Sequence, residues 1–106
     1  MNIYKELQGS QLEVTLSGKF TFSDNQAYRN ILEQMASPQV THITFHMRQV
    51  EFVDSAALGM LLLARDEAQK HDKKLIISGI QGQVKKMFSV ARFDSLFSLQ
   101  NDPSFQ

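Results

Sequence analysis

The chain has 106 residues, 42% of them hydrophobic, enough to bury one core but too few for two, so we expect residues 1–106 to form a single domain. Eleven Lys and Arg residues balance eleven Asp and Glu residues, which argues against a general surface for nucleic acid or an anionic membrane. The chain has no cysteine, which excludes disulfides, thiolate metal sites and thiol nucleophiles.

The N-terminal residues carry a strand pattern rather than a targeting signal. Residues 1–6 have no apolar signal core, and no stretch of the chain is long enough to span a bilayer, so we expect a cytoplasmic protein. Apolar and polar residues alternate over residues 12–16, which is typical of a strand with one buried face. A turn at residues 8–10 predicts residues 3–7 as its antiparallel partner, and Gly18 is expected to end this hairpin.

A first helix is predicted after the hairpin. Ser23 followed three residues later by Gln26 is a capping-box pattern, which marks a helix start. Proline at position 38 forbids continuation, so the helix is expected to stop at Ser37. Its apolar stripe consists of Ala27, Ile31, Leu32 and Met35.

The middle of the chain predicts buried strands and a second helix. Residues 40–45 are apolar and β-branched, which suits a strand in a sheet covered on both faces. A further apolar strand is predicted to end at Val53. A helical pattern then begins at Asp54 or Ser55 and runs to about Lys70.

The C-terminal third completes an alternation of strands and helices. Residues 75–77 predict a short buried strand, residues 84–91 an amphipathic helix, residues 96–99 a last strand and residues 100–106 a polar tail. Strands that alternate with helices require crossover connections. We therefore predict an α/β fold: a mixed, mostly parallel sheet of four to five strands with an N-terminal antiparallel hairpin, flanked by three to four helices.

The step from Asp54 to Ser55 is a candidate site, because ligands of such sheets bind where strands lead into helices. A serine at a helix start caps the helix by accepting a hydrogen bond from a free backbone N–H group. It is also a suitable phosphate acceptor, since the helix N-terminus tolerates added negative charge. The residues by themselves leave both roles open. Ser23 lies at a second junction of this kind.

Catalytic and metal-binding interpretations of the sequence are poorly supported. The lipase-type G-x-S-x-G motif is absent around Ser55, and a nucleophilic serine needs a base within reach. His42 and His46 share one face of a strand without a Cys, Asp or Glu on that face to complete a metal site. The glycines of residues 78–82 lack the pattern of a phosphate-binding loop. We therefore predict no catalytic residue, no metal and no cofactor.

Gly59 is unusual because it lies inside the predicted helix. A glycine there costs about 1 kcal/mol relative to alanine. One interpretation is that the helix packs closely against the sheet at this point, and the second is that its first turn, with Ala56 and Ala57, is a flat platform for another protein. The two are compatible, because a helix has more than one face. Met60 extends the platform in the second case, since methionine adapts to irregular surfaces.

The sequence resembles the STAS domain, in particular the single-domain bacterial anti-sigma factor antagonists. The resemblance covers nearly the whole chain, including the opening hairpin, Gly18 before the first helix and the strand at residues 41–45. Its most specific part is Val53-Asp54-Ser55-Ala56-Ala57-Leu58-Gly59, where family members typically carry D-S-[SA]-[GA]-L-G. The resemblance implies a STAS-type fold.

The resemblance also implies regulation by partner switching. In such proteins the serine at the position of Ser55 is phosphorylated by a serine kinase, often the anti-sigma factor itself. A PP2C-type phosphatase, in some members attached to a response regulator, reverses the reaction. The unphosphorylated form binds the anti-sigma factor or a related target, and the phosphorylated form releases it. The partner-binding surface is expected to include Thr21, Ser23, Asp24, Asp54, Ser55, Ala56, Ala57, Leu58, Gly59 and Met60.

Two departures from the family pattern bear on this expectation. Many members have an aspartate shortly after the glycine of the hairpin, whereas here Gly18 is followed by Lys19, Phe20 and Thr21. Ala56 and Ala57 replace the commoner Ser-Gly, which leaves Ser55 as the sole acceptor in the motif. The alternative function is a constitutive scaffold in a transport or signalling complex, such as an accessory subunit of a lipid or anion transport ATPase, with Ser55 only capping the helix.

Overall fold

A five-stranded mixed sheet forms the frame of the molecule, which is described by a computed structural model over residues 1–100. The strands follow one another across the sheet in chain order, the first pair antiparallel and the others parallel. They are β1 (Asn2–Gln8), β2 (Gln11–Phe20), β3 (His42–Val53), β4 (Lys74–Ser78) and β5 (Ser98–Gln100). Apart from Gln100, which ends β5, the predicted polar tail lies outside the described residues.

Three α-helices connect the parallel strands: α1 (Asn25–Met35), α2 (Ser55–Lys70) and α3 (Gly82–Val90). Short 3₁₀ turns at Phe22–Asp24 and Phe93–Ser95 precede α1 and β5. The predicted α/β fold, with its N-terminal hairpin and mostly parallel sheet, is therefore confirmed. Within residues 1–100, no helix is both long enough and apolar enough to cross a membrane.

The helices cover one face of the sheet. Parallel crossovers are right-handed, and each one here steps to the next strand in the same direction, which places all three helices on the same side. Burial along β3 agrees, since Ile43, Phe45 and Met47 are fully buried while Thr44 and His46 between them are partly exposed. The expectation of a sheet covered on both faces is therefore wrong.

Aromatic side chains occupy two parts of the core beneath the helices. The Tyr28 ring of α1 lies with its centroid 5.4 Å from that of Phe20 and 6.3 Å from that of Phe45. Near the end of α3, the ring centroid of Phe88 lies 5.5 Å from that of Phe93. Contacts of this kind add to the hydrophobic burial that ties α1 to the sheet and α3 to the turn Phe93–Ser95.

Two strand boundaries differ from the sequence-based expectation. Gly18 does not end the hairpin, because β2 continues through it to Phe20 with Gly18 at φ +87°, a conformation that glycine adopts without strain. The pairing of β2 with β3 is irregular on both sides of this glycine, as in a β-bulge. The strand predicted over residues 40–45 and the strand predicted to end at Val53 are one continuous strand, β3.

The start of α1 also differs from the prediction. The Thr21 N–H group donates to Asp24 Oδ2 at 2.9 Å, and the Asp24 N–H group donates to the Thr21 carbonyl oxygen at 3.0 Å. Ser23 lies inside this turn, with its hydroxyl 2.9 Å from that of Thr21, and α1 begins only at Asn25. The predicted capping box at Ser23 and Gln26 is therefore wrong. A carboxylate is the stronger acceptor for a backbone N–H group, and Asp24 supplies one.

Tyr28 provides a test of this core. Its hydroxyl is buried without a hydrogen-bond partner among the described residues, so Tyr28→Phe should raise the free energy of unfolding by about 1 kcal/mol. Burial also raises the pKa of Tyr28 well above its usual value. The unfolded chain therefore loses this proton first, and the wild type should lose stability as the pH rises above about 10.

Urea unfolding at neutral and alkaline pH measures both effects. The stability gap between Tyr28→Phe and the wild type should widen above about pH 10, because the variant lacks the titrating group. The exposed Tyr4, 64% accessible, is the matched control, and Tyr4→Phe should change neither quantity. A gap that stays constant with pH would contradict the burial of the Tyr28 hydroxyl.

Candidate functional site

The site forms where β2 and β3 leave the sheet together. Phe20 pairs with Val53 at the last register position, and the Asp54 N–H group donates to the Phe20 carbonyl oxygen at 3.3 Å. On the other side of β3, the strand β4 has already ended. There the side-chain amide of Gln83 makes the hydrogen bonds that a neighbouring strand would otherwise make. The Val53 N–H group donates to Gln83 Oε1 at 3.0 Å, and Gln83 Nε2 donates to the Val53 carbonyl oxygen at 3.1 Å. The residue before Asp54 is thus held from both sides.

Asp54 is the N-cap of α2. Its backbone is extended, and its Oδ1 accepts a hydrogen bond from the Ala57 N–H group at 2.7 Å. Its Oδ2 accepts a second bond, from the Phe22 N–H group at 3.2 Å. One carboxylate therefore stabilises the helix start and also links it to the turn Phe22–Asp24.

Ser55 is the first residue of α2 and is exposed. In the part of the chain that the structure describes, its hydroxyl makes no hydrogen bond. Of the two roles that the sequence leaves open, capping belongs to Asp54 and not to Ser55. The Ser55 hydroxyl is accessible at the N-terminus of a 16-residue helix.

Gly59 lies on the outward face of α2, one turn after Ser55. A Cβ atom added at Gly59 would have no atom within 4 Å, so the glycine is not required for packing against the sheet. Leu63 follows one further turn along the same face and is 51% exposed. Ser55, Gly59 and Leu63 thus form an open stripe at i, i+4 spacing.

The other motif residues of α2 are divided between surface and core. Ala56 is partly exposed beside the open stripe. Ala57, Leu58 and Met60 have relative exposures of 0%, 8% and 5%, so they pack in the core and offer no side chain to a partner. The 3.6-residue period of the helix causes this division, since these positions face the sheet.

The turn before α1 contributes a second group of surface residues. Thr21 and Asp24 are half-buried, and Asp24 accepts from the Thr21 N–H group and, at 3.2 Å, from the α-amino group of Met1. Ser23 is exposed. Phe22 is 66% exposed and is missing from the sequence-based expectation. A large apolar residue flanked by the polar residues Thr21 and Ser23, at a strand-to-helix junction, is the sequence signal that would have indicated it.

One of the two histidines of β3 lies beside a carboxylate. His46 Nε2 lies 2.9 Å from Glu13 Oε1, which comes from the neighbouring strand and was not anticipated from the sequence of β3. Among residues 1–100, no cluster of three or more His, Cys, Asp or Glu side chains is placed to hold a metal ion.

A shallow cavity of about 390 Å³ lies beside the far end of α2, away from Ser55. Three cations line it, Arg65, Lys73 and Lys74, and two of them donate hydrogen bonds to backbone carbonyl groups. Arg65 Nε donates to the Leu96 carbonyl oxygen at 2.8 Å, and Lys73 Nζ donates to the Ser37 carbonyl oxygen at 2.7 Å.

The assignment of the cap predicts a contrast between neighbouring variants. Asp54→Ala should lower the free energy of unfolding by about 1–2 kcal/mol, because the Ala57 N–H group loses its acceptor. Ser55→Ala should change it by less than about 0.5 kcal/mol, since the hydroxyl is exposed and unbonded. Urea unfolding measures both. Equal losses would contradict the assignment of Asp54 as the cap.

Known structures with this fold include SpoIIAA in an unphosphorylated and a phosphorylated form. The chain is similar to the anti-sigma factor antagonist SpoIIAA in its unphosphorylated form, with a TM-score of 0.75 and 17% identity, covering 95% of this chain and 88% of that one. The phosphorylated form of the Bacillus cell fate determinant SpoIIAA matches with a TM-score of 0.76 and 16% identity, covering 95% and 91%.

The same fold occurs in a protein with a different description. A sulfate transporter family protein from Wolinella succinogenes matches with a TM-score of 0.74 and 16% identity, covering 86% of this chain and 76% of that one. At such identities these likenesses show a shared fold.

Sequence comparison extends the likeness beyond the fold. A STAS-domain containing protein of Pseudomonas aeruginosa (strain UCBPP-PA14) is 30% identical over 91 residues, which is 86% of this chain and 89% of the relative. The family model described as "Mlab, STAS domain" matches residues 3–100. The chain therefore belongs to the STAS domain family.

Proposed function

We propose that this protein is a cytoplasmic partner-switching regulator controlled by phosphorylation of Ser55. Its unphosphorylated form binds an anti-sigma factor of the serine-kinase type, or a related regulatory target, and phosphorylation releases that partner. The observation that carries the proposal is the free hydroxyl of Ser55. Because Asp54 caps the helix, the exposed Ser55 hydroxyl has no structural task among the described residues.

The start of α2 is suited to a phosphate. A kinase would form the bond between Ser55 Oγ and the γ-phosphorus of a nucleoside triphosphate, releasing the diphosphate and passing the hydroxyl proton to its own base. A PP2C-type phosphatase would cleave that phosphoester with water and release inorganic phosphate. The helix dipole and the N–H groups of the first turn offset the added charge of about −1.5 to −2. The fold should therefore survive the modification.

The partner surface is proposed to lie on the open stripe of α2 and the adjoining turn. Gly59 leaves space for a partner backbone or side chain above Ser55, and Leu63 offers apolar area beside it. A partner pressed onto this stripe would desolvate a phosphate at Ser55 without compensation. If that cost is about 3 kcal/mol, affinity falls roughly 150-fold, which is enough for a switch.

The comparisons support this function. SpoIIAA, which shares the fold, is described as an anti-sigma factor antagonist and has been solved in phosphorylated and unphosphorylated forms. The sulfate transporter relative favours a second candidate, a constitutive scaffold subunit of a transport complex. The two candidate functions differ in whether a negative charge at Ser55 prevents partner binding.

Ser55 variants test the proposal. Intact-mass spectrometry of protein from cells should show a phosphatase-removable adduct of about 80 Da, absent from Ser55→Ala. Affinity capture from the same cells should recover a serine kinase or anti-sigma factor with Ser55→Ala and lose it with Ser55→Asp. Gln69→Glu adds the same charge about 21 Å along the same helix and is the matched control, since it should not disturb capture.

Two outcomes would decide against the switch. A protein that carries no phosphate whether the cognate kinase is active or deleted is not controlled at Ser55. A partner that Ser55→Asp still retains, with the fold intact, supports the constitutive scaffold.

Gly59 gives an independent prediction. Gly59→Ala should raise the free energy of unfolding by about 0.5–1 kcal/mol, because alanine is the better helix former and its Cβ meets open space. The same methyl group should weaken partner binding by about tenfold if the partner lies against Gly59. Thermal unfolding and titration with the captured partner measure the two effects, with Gln69→Ala as the control. A stabilised variant that binds normally would show that the platform lies elsewhere.

A further inference from the structure

The two hydrogen bonds of the Asp54 carboxylate are unequal. The bond from the Ala57 N–H group is 2.7 Å long and partly buried, whereas the bond from the Phe22 N–H group is 3.2 Å long and exposed. A longer bond that competes with water is the weaker one. A force that displaces the carboxylate will therefore break the Phe22 bond before it breaks the cap.

A phosphate on Ser55 supplies such a force. It would place a second anionic group on the residue next to Asp54, well within the screening length of physiological salt. The cap bond keeps Oδ1 at the Ala57 N–H group, so the carboxylate can retreat by turning Oδ2 away. That movement gives up the acceptor of the Phe22 N–H group.

The Phe22 bond is a link between the turn and α2. Three other bonds of the turn are internal, from Thr21 N–H to Asp24, from Asp24 N–H to the Thr21 carbonyl, and between the Thr21 and Ser23 hydroxyls, and a fourth comes from the α-amino group of Met1 to Asp24. These bonds hold the shape of the turn but do not join it to α2. The backbone of Phe22, whose ring is exposed, is consequently joined to α2 through the Asp54 carboxylate.

We infer that phosphorylation of Ser55 breaks the hydrogen bond from the Phe22 N–H group to Asp54 and frees the turn that carries the Phe22 ring. Phosphorylation then changes the partner surface twice, by adding charge at Ser55 and by releasing an exposed aromatic side chain. This inference rests on the proposed role of Ser55 as the phosphate acceptor. Asp54 acts in it as a positioning residue that couples the two segments.

Nuclear magnetic resonance of the full chain tests the inference without a partner. Phosphoserine is installed at position 55 during translation, so no kinase is needed. The Phe22 amide proton should move upfield and exchange with water roughly tenfold faster than in the unmodified protein. The Ala57 amide should keep its protection, because the cap remains. Far-UV circular dichroism checks that the fold is intact.

Asp54→Asn is the matched variant. Its single carbonyl oxygen preserves the cap on Ala57, since asparagine is a good N-cap, while its NH₂ group faces the Phe22 N–H group donor to donor. The Phe22 amide should therefore exchange fast without phosphate, and phosphoserine should add no further change. Ser55→Ala should leave the Phe22 amide as in the unmodified protein.

The outcomes separate this inference from the proposed function. An unchanged Phe22 amide in the phosphoserine protein would overturn the inference, whatever Ser55 does in cells. Loss of Ala57 protection together with that of Phe22 would also overturn it, because the whole helix start would then be melting. Absence of phosphate in cells would defeat the proposed function and leave the measured coupling unaffected.

Discussion

The Asp54 carboxylate accepts hydrogen bonds from backbone N–H groups of two different segments, Ala57 in α2 and Phe22 in the turn before α1. The rest of the site depends on these bonds. Because the carboxylate satisfies the helix start, the neighbouring Ser55 hydroxyl is left exposed. Because the carboxylate also accepts a hydrogen bond from Phe22, it connects two segments far apart in the chain beside that hydroxyl. A modification at Ser55 would therefore act on a point where several contacts converge.

The sheet topology determines where this point lies. Strands that follow in chain order with right-handed crossovers place the three helices on one face and align the carboxyl ends of the parallel strands. The end of β3 projects beyond β4, and the amide of Gln83 satisfies Val53 where no strand is available. This contact fixes the last residue of β3, and with it the starting position of α2.

Stability and binding make opposite demands on the outward face of α2. Gly59 is a weak helix former, and no packing contact requires it. Leu63 exposes about half of its side chain on the same stripe. A surface selected only for stability would replace the glycine with alanine and the leucine with a polar residue. The retained glycine and leucine are understandable if another protein covers this stripe.

Local patterns in the sequence determined the order of elements, the N-terminal hairpin, the start of the second helix within one residue, and the motif around Ser55. Such features depend on neighbours in the chain, through side-chain alternation, turn residues and helical period. Tertiary structure alone decided which residue caps α2, because the bond from the Asp54 N–H group to the Phe20 carbonyl oxygen keeps Asp54 extended and outside the helix. It likewise decided that Ala57, Leu58 and Met60 are buried, that Phe22 is exposed, and that one face of the sheet is uncovered. These outcomes depend on which segments meet in space, and contacts between distant segments leave no periodic trace in the sequence.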